Sequence, residues 1–232
     1  MEHQSYVSRK PSLMRTFRKS IARIKPTLVA RHGEERAAAL RKEAQLEYET
    51  LIPQIPYLGP RNPFLILLLP TTRYLAVYQT LTRAGWTAEE AGKAIMEMAA
   101  EDARAIPVFV RRIIGRLWFS PFLVGRVRRR ALISQQREYP GGFVYNFVEG
   151  DGKDFDWGID YIECANCKLL TAQNAMGMAP YLCATDEISS QMLGWGLRRT
   201  TTLAEGSQQC DFRFKKGGET LLALPRTLHP LP

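Results

Sequence analysis

Leu13, Met14, Phe17, Ile21 and Ile24 recur at helical spacing among Arg, Lys and Ser, which predicts an amphipathic basic helix near the start of the chain. Strong helix formers fill residues 34–51, with Leu40, Ala44 and Leu51 on one stripe, and Pro53 and Pro56 stop the pattern. The Pro-rich stretch 52–70 reads as a connector with a short buried run. Helical periodicity returns over 71–81 through Tyr74, Leu75, Tyr78 and Leu81. Thr87 has Glu90 three residues on, the spacing of a capping box, and predicts a helix to about Ile106. From Ile106 to Ile133, Val108, Phe109, Ile113, Ile114, Leu117, Trp118, Phe122 and Val127 are interleaved with Arg. That pattern predicts a core-packing helix pair, broken near Ser120-Pro121, with a solvated cationic face.

The period changes after Tyr139-Pro140-Gly141-Gly142. Residues 143–148 are aromatic and β-branched, turn at Gly150-Asp151-Gly152, and are followed by alternating apolar and acidic positions over 155–162, a hairpin signal. Helices are expected at 165–176 and 180–193, then strands at 196–203 and 209–214 joined by Glu205-Gly206-Ser207. There is no βαβ alternation and no Gly-rich phosphate loop, so a doubly wound nucleotide-binding sheet is disfavoured. The expected fold class is α+β: a helical N-terminal layer followed by an antiparallel sheet with helices on one face. The expected division is a basic arm at 1–33 that is not counted as fold, a helical region at 34–138, an α+β region with the Cys and Asp motifs at 139–216, and a tail at 217–232.

Composition narrows the class. The 232 residues are 45% hydrophobic and 24% charged, with Gly (17) and Pro (14) at ordinary levels, which excludes wholesale disorder and collagen-like or mucin-like chains. No apolar run reaches the roughly 18 residues of a membrane span; the longest, Phe64 to Leu69, is bracketed by Pro63 and Pro70. The net charge of +9 suggests a polyanion partner until it is located. Residues 1–33 carry +7 and residues 111–130 carry seven Arg and no acid, which leaves the remainder at −5. A nucleic-acid partner is therefore not expected. The first segment has the character of a transit peptide, a membrane-adsorbing arm or an extension docked on the domain, and the second leaves peripheral membrane contact open. The expected compartment is the cytoplasm, or the mitochondrion if residues 1–33 act as a transit peptide.

His3, His32 and His229 all lie in flanking regions, so Ser-His-Asp, Cys-His and His-rich zinc chemistry have no support. All four thiols, Cys164, Cys167, Cys183 and Cys210, fall in the C-terminal third. Cys164-Ala165-Asn166-Cys167 has the spacing of half a zinc site, a redox pair or a helix N-terminus holding a reactive thiol. Cys183 and Asp186 are three apart on an expected helix, hence on one face. Cys210 and Asp211 are neighbours on an expected strand and point to opposite faces, so only one can share a site with Cys183. Asp186 or Asp211 would accept a thiol proton, and Arg198 or Arg199 would supply positive charge. Spacing alone leaves a catalytic cluster and a structural one equally open. No cofactor is expected, with zinc on the thiols as the alternative.

Taken as an ordered set, Cys164-x-x-Cys167, Pro180-Tyr181-Leu182-Cys183-Ala184-Thr185-Asp186, Arg199-Thr200-Thr201-Thr202-Leu203-Ala204-Glu205-Gly206 and Cys210-Asp211-Phe212-Arg213-Phe214 resemble the L-2-amino-thiazoline-4-carboxylic acid hydrolase family. The resemblance is strongest over 140–215 and looser from about 70, where Gly85-Trp86-Thr87-Ala88-Glu89-Glu90-Ala91 follows the usual layout; the N-terminal arm departs from it. It implies hydrolytic opening of a cyclic isothiourea to a carbamoyl-cysteine on the way to L-cysteine. The implied catalytic set is Cys183, Asp186, Cys210 and Asp211. Arg199 would bind the substrate carboxylate, with Thr202, Cys164 and Cys167 as further substrate-binding residues. The alternative is a non-enzymatic ligand- or metal-binding module using the same thiols.

Overall fold

The computed structural model describes residues 4–60 and 62–223. Two short helices, α1 (Gln4–Val7) and α2 (Lys10–Ala22), lead into the long α3 (Lys25–Leu51). Next come α4 (Leu65–Arg83), α5 (Ala88–Arg104), α6 (Val108–Trp118) and α7 (Pro121–Ser134). The hairpin β1 (Val144–Glu149) and β2 (Trp157–Glu163) is followed by α8 (Ala165–Ala172) and α9 (Ala179–Leu193), then β3 (Leu197–Arg199), β4 (Cys210–Phe214) and β5 (Leu221–Leu222). The fold is α+β, as its sequence pattern predicts.

The sheet order is β1-β2-β4-β3-β5, antiparallel except for the β3–β5 pair. Registers Trp157↔Phe214, Ile159↔Phe212 and Tyr161↔Cys210 put those six residues on one face, and alternation puts Asp160, Asp211 and Arg213 on the other. The first face is the core face: Trp157, Ile159, Tyr161, Leu197, Cys210 and Phe214 are buried on it. The polar face is tied by an ion pair from Arg213 to Asp160 at 2.7 Å.

Residues 6–33 of the arm expected outside the fold are built into it. Phe17, Ile21, Ile24 and Leu28 are essentially inaccessible, and Phe17 stacks on Tyr48 of α3 with ring centroids 4.5 Å apart. The polar side of the segment is also engaged, for Ser20 of α2 and Arg23 just past its end both donate to Asp102 of α5, and Thr27 donates to Glu97 at 2.6 Å. The expected boundary at 33 is a kink within α3, where Gly33 takes φ 76°, a left-handed value that glycine alone adopts freely.

The connector expected over 52–70 is shorter than read, because α4 already starts at Leu65 and carries Pro70 in its interior. Proline removes an amide donor there, yet Leu68 is fully buried and the hydroxyls of Thr71 and Thr72 donate to the carbonyls of Leu67 and Leu68. Burial thus overrides the local penalty. The capping box forms: Glu90 N donates to Thr87 Oγ1 at 3.1 Å, and Thr87 N donates to Glu90 Oε2 at 2.8 Å.

α6 and α7 break at Ser120-Pro121 as expected, but they are not the core-packing pair their pattern predicts. Only Gly115, Trp118, Val127 and Ala131 of the two are buried. Gly115 lies so close to α9 that a Cβ there would sit 2.1 Å from the Leu193 carbonyl oxygen. The segment expected as a tail supplies β5, and just past it Ala223 N donates to Arg199 O at 2.8 Å; residues 224–232 lie outside the described part. Among the described residues, no helix is long and apolar enough to cross a membrane.

Candidate active site

Between the core face of the sheet and helices α4, α8 and α9 lies a cavity of about 170 Å³. One water needs roughly 10–15 Å³ by this measure, so the space holds a small organic molecule. Its aromatic wall includes Trp118, Tyr161, Trp195, Phe212 and Phe214, with Trp118 and Trp195 stacked at 4.2 Å. Its reactive lining is Cys164, Cys167, Cys183, Asp186, Arg199 and Cys210. Six of the eight residues expected at the site are thus gathered around one space from α8, α9, β3 and β4.

Local structure explains each placement. Cys164 follows β2 directly and is the N-cap of α8, so Cys167 falls in the first turn. α9 carries Cys183 and Asp186 at a spacing that keeps both on the side facing the sheet. In β3, Leu197 and Arg199 alternate with Arg198, which puts Arg199 on the core face and leaves Arg198 exposed. Cys210 opens β4 opposite Tyr161.

Arg199 is 1% exposed and is the largest buried charge at the site. Its Nη1 donates to Asp186 Oδ2 at 2.5 Å, Nη1 and Nη2 both donate to the Cys183 carbonyl at 3.2 Å, and the guanidinium stands 5.4 Å from the Phe212 ring centroid. Its Nε has no protein partner. A buried guanidinium cannot shed its charge, so the Asp186 carboxylate and the Cys183 carbonyl are what make its burial possible. Other lining residues also leave polar atoms without a protein partner: the Asn166 Oδ1 acceptor and the Nε1 donors of Trp118 and Trp195. Buried polar atoms are normally satisfied. Three donors and one acceptor around one cavity match a ligand with an anionic or acceptor end and an N–H.

Electrostatics separates the reactive groups. Burial pushes the Asp186 carboxyl up from its ordinary value, against the pull of Arg199. Burial, then the negative charge of Asp186, push the Cys183 thiol well up, although Arg199 opposes them. Burial raises Cys210 to about 11 despite the Leu203 N–H that donates to its Sγ at 3.1 Å. Hydrogen bonding with Cys167 and then burial raise Cys164. None of these three is a resting thiolate at neutral pH. Among the described residues, Asp186 is the one carboxyl on the cavity lining, raised by burial and oriented by its bond from Arg199.

Two expected residues are elsewhere. Asp211 points to the opposite face of the sheet, as strand alternation requires once Cys210 faces the cavity. Its Oδ1 accepts from the backbone N–H of Thr200 and Thr201 at 2.8 and 2.6 Å, and its Oδ2 from the Thr200 hydroxyl at 2.6 Å. Burial raises its pKa, but these hydrogen bonds outweigh that and hold the carboxyl below its usual range. It is a loop clamp, and it ends β3 at Arg199 by taking the amides that would have continued the strand. Thr202 is buried but does not line the cavity; its hydroxyl donates to Glu205 at 3.2 Å and its carbonyl accepts from Glu205 and Ser207. Among the described residues, no three His, Cys, Asp or Glu stand together as metal ligands.

Fold and site together define an α+β protein with a thiol-and-carboxylate pocket sized for a small molecule. The family model of L-2-amino-thiazoline-4-carboxylic acid hydrolase matches residues 71–214, well over half the chain and the whole of the cavity lining from Thr71 to Phe214. The chain belongs to that hydrolase family. Comparison with the curated proteins and with solved structures gives no match.

Proposed function

We propose that the protein is a hydrolase that opens a small cyclic amidine or isothiourea, of which 2-amino-thiazoline-4-carboxylate is the type, to a carbamoyl-cysteine. The observation that carries this reading is the Arg199–Asp186 pair set into a thiol-lined, aromatic-walled cavity. Family membership over residues 71–214 supports hydrolysis as the reaction class.

The substrate's carboxylate accepts from Arg199 Nε, the donor the protein leaves over, while its exocyclic N–H donates to Asn166 Oδ1, a residue that strand and thiol patterns do not single out. The electrophile is the ring carbon between sulfur and nitrogen. Asp186 takes a proton from an attacking water, the tetrahedral adduct collapses, and the same carboxyl returns the proton to the departing ring atom. Water supplies the new oxygen and both hydrogens, so the ring opens without any redox change. If the ring C–S bond breaks, the product is N-carbamoyl-cysteine with a free thiol; if the C–N bond breaks, the thiol stays blocked. A route through Cys183 needs Asp186 to deprotonate that thiol first, because its neutral form dominates at rest.

Incubating the purified chain with 2-amino-thiazoline-4-carboxylate and following free-thiol release and product mass tests this. Turnover that persists in Cys183→Ala assigns the attack to water. Turnover abolished in that folded variant, with a mass adduct of the ring-opened substrate on wild type, assigns it to the thiol. No conversion by folded wild type, with neither product detected, refutes the substrate assignment.

A further inference from the structure

The two basic segments behave differently in the fold, and the second leaves a surface uncovered. The apolar stripe of residues 1–33 is spent on the core. On α6, by contrast, Phe109 (66% exposed), Ile113 and Leu117 recur every four residues along one exposed face, and Phe122 (79% exposed) follows just past the break. Val108 is exposed beside them, and Leu132 (72%) is exposed further along α7. Large apolar side chains gathered on one helix face are unusual on a monomer surface and mark something that covers them.

Charge says what that partner is. Nine Arg and no acid lie between Asp102 and Glu138. Arg112 and Arg116 are exposed on the same stretch of α6, and neither makes an ion pair or hydrogen bond with any described residue; the same holds for Arg129 on α7. A helix with exposed Phe, Ile and Leu bordered by uncompensated Arg has the composition of one that lies in the plane of a membrane interface, apolar side chains among the acyl chains and guanidinium groups at the phosphates. A second copy of this chain would set like charges face to face. A nucleic acid would contact the Arg but leave Ile113 and Leu117 in water.

We infer that the outer face of α6, continued by Phe122, docks the protein peripherally on an anionic lipid surface. The helix is well placed to carry such a contact because its inner side is fixed: Gly115 abuts the α9 backbone and Trp118 is both buried and part of the cavity wall. The docking element is therefore also a wall of the candidate active site. This inference does not depend on the proposed reaction.

Co-sedimentation of the full chain with phosphatidylcholine vesicles, with and without phosphatidylserine, tests it. Binding to the serine-lipid vesicles is expected to be at least about tenfold stronger than to phosphatidylcholine alone and to weaken as salt shortens the screening length. Phe109→Ser/Ile113→Ser/Leu117→Ser and, separately, Arg112→Gln/Arg116→Gln are each expected to lose most of that binding with an unchanged melting temperature, because the side chains replaced are exposed. No pelleting at low salt overturns the inference, as does binding that either variant leaves intact. A triple Ser variant that turns a dimer into a monomer, with no vesicle binding by wild type, assigns the face to a second copy instead and overturns it too.

Discussion

Arg199 and Asp186 show how one side chain decides another's role. Because Arg199 is buried and bonded to Asp186 and the Cys183 carbonyl, replacing it with Met leaves the half-buried Asp186 carboxyl without its cation. Removing one partner of such a pair costs about 3 kcal/mol or more. Arg199→Met is expected to lower the melting temperature by several degrees and to abolish turnover, whereas an Asp186→Asn/Arg199→Met double variant should recover part of the stability and none of the activity. The two aspartates diverge for a similar reason. Asp211→Asn breaks a loop clamp, so a loss of about 1–3 kcal/mol measured by urea denaturation is expected with kcat largely retained. Equal loss of kcat in Asp211→Asn and Asp186→Asn would contradict the assignment of Asp211 to the far face of the sheet.

Among the elements, the helix α2 is where stability and expectation part. Its stripe of Leu13, Phe17 and Ile21 is legible in sequence, but period and charge describe a helix that lies on a membrane as well as one that lies on a protein; only the presence of Tyr48 and Asp102 opposite it decides between them. Phe17→Ala is accordingly expected to cost about 3–5 kcal/mol, a shift of several degrees in the melting temperature, and an unchanged melt would mean that the segment is a dispensable arm. The converse ambiguity affects α6 and α7, whose apolar positions read as core and are found mostly outside. Elements set by local chemistry were readable: the Thr87–Glu90 capping box, the Ser120-Pro121 break, and the β1–β2 hairpin. Those set by tertiary contact were not, including the helical run across Pro70 and the short β3 that Asp211 terminates. At the site, alternation along β4 already required that Cys210 and Asp211 part company. Which of them joins Cys183 is fixed by the sheet face that the helices cover, and no local pattern encodes that.

For the molecule as a whole, the aromatic and thiol-rich core has a consequence for pH. Burial raises Tyr48 and Tyr74 from an ordinary 10.0 to about 12, and Cys210 from 9.0 to about 11. In the unfolded chain these groups lose their protons first. Their contribution to stability is therefore fully present below about pH 9 and is lost as the pH rises through the folded values. The urea midpoint is expected to be lower at about pH 10.5 than at about pH 8; equal midpoints would show that these groups are not buried together. The proposed reaction has its own pH signature, since it asks for the ionised form of Asp186 and burial raises that carboxyl above its ordinary 3.8. The most direct test is the pH dependence of kcat for 2-amino-thiazoline-4-carboxylate in wild type and Asp186→Asn. The wild-type rate is expected to rise with pH on an acid limb above the ordinary carboxylate range, and a folded Asp186→Asn to be slower by at least about 10² with that limb gone. A variant that keeps wild-type turnover, or an acid limb that survives the substitution unchanged, would contradict the role proposed for Asp186.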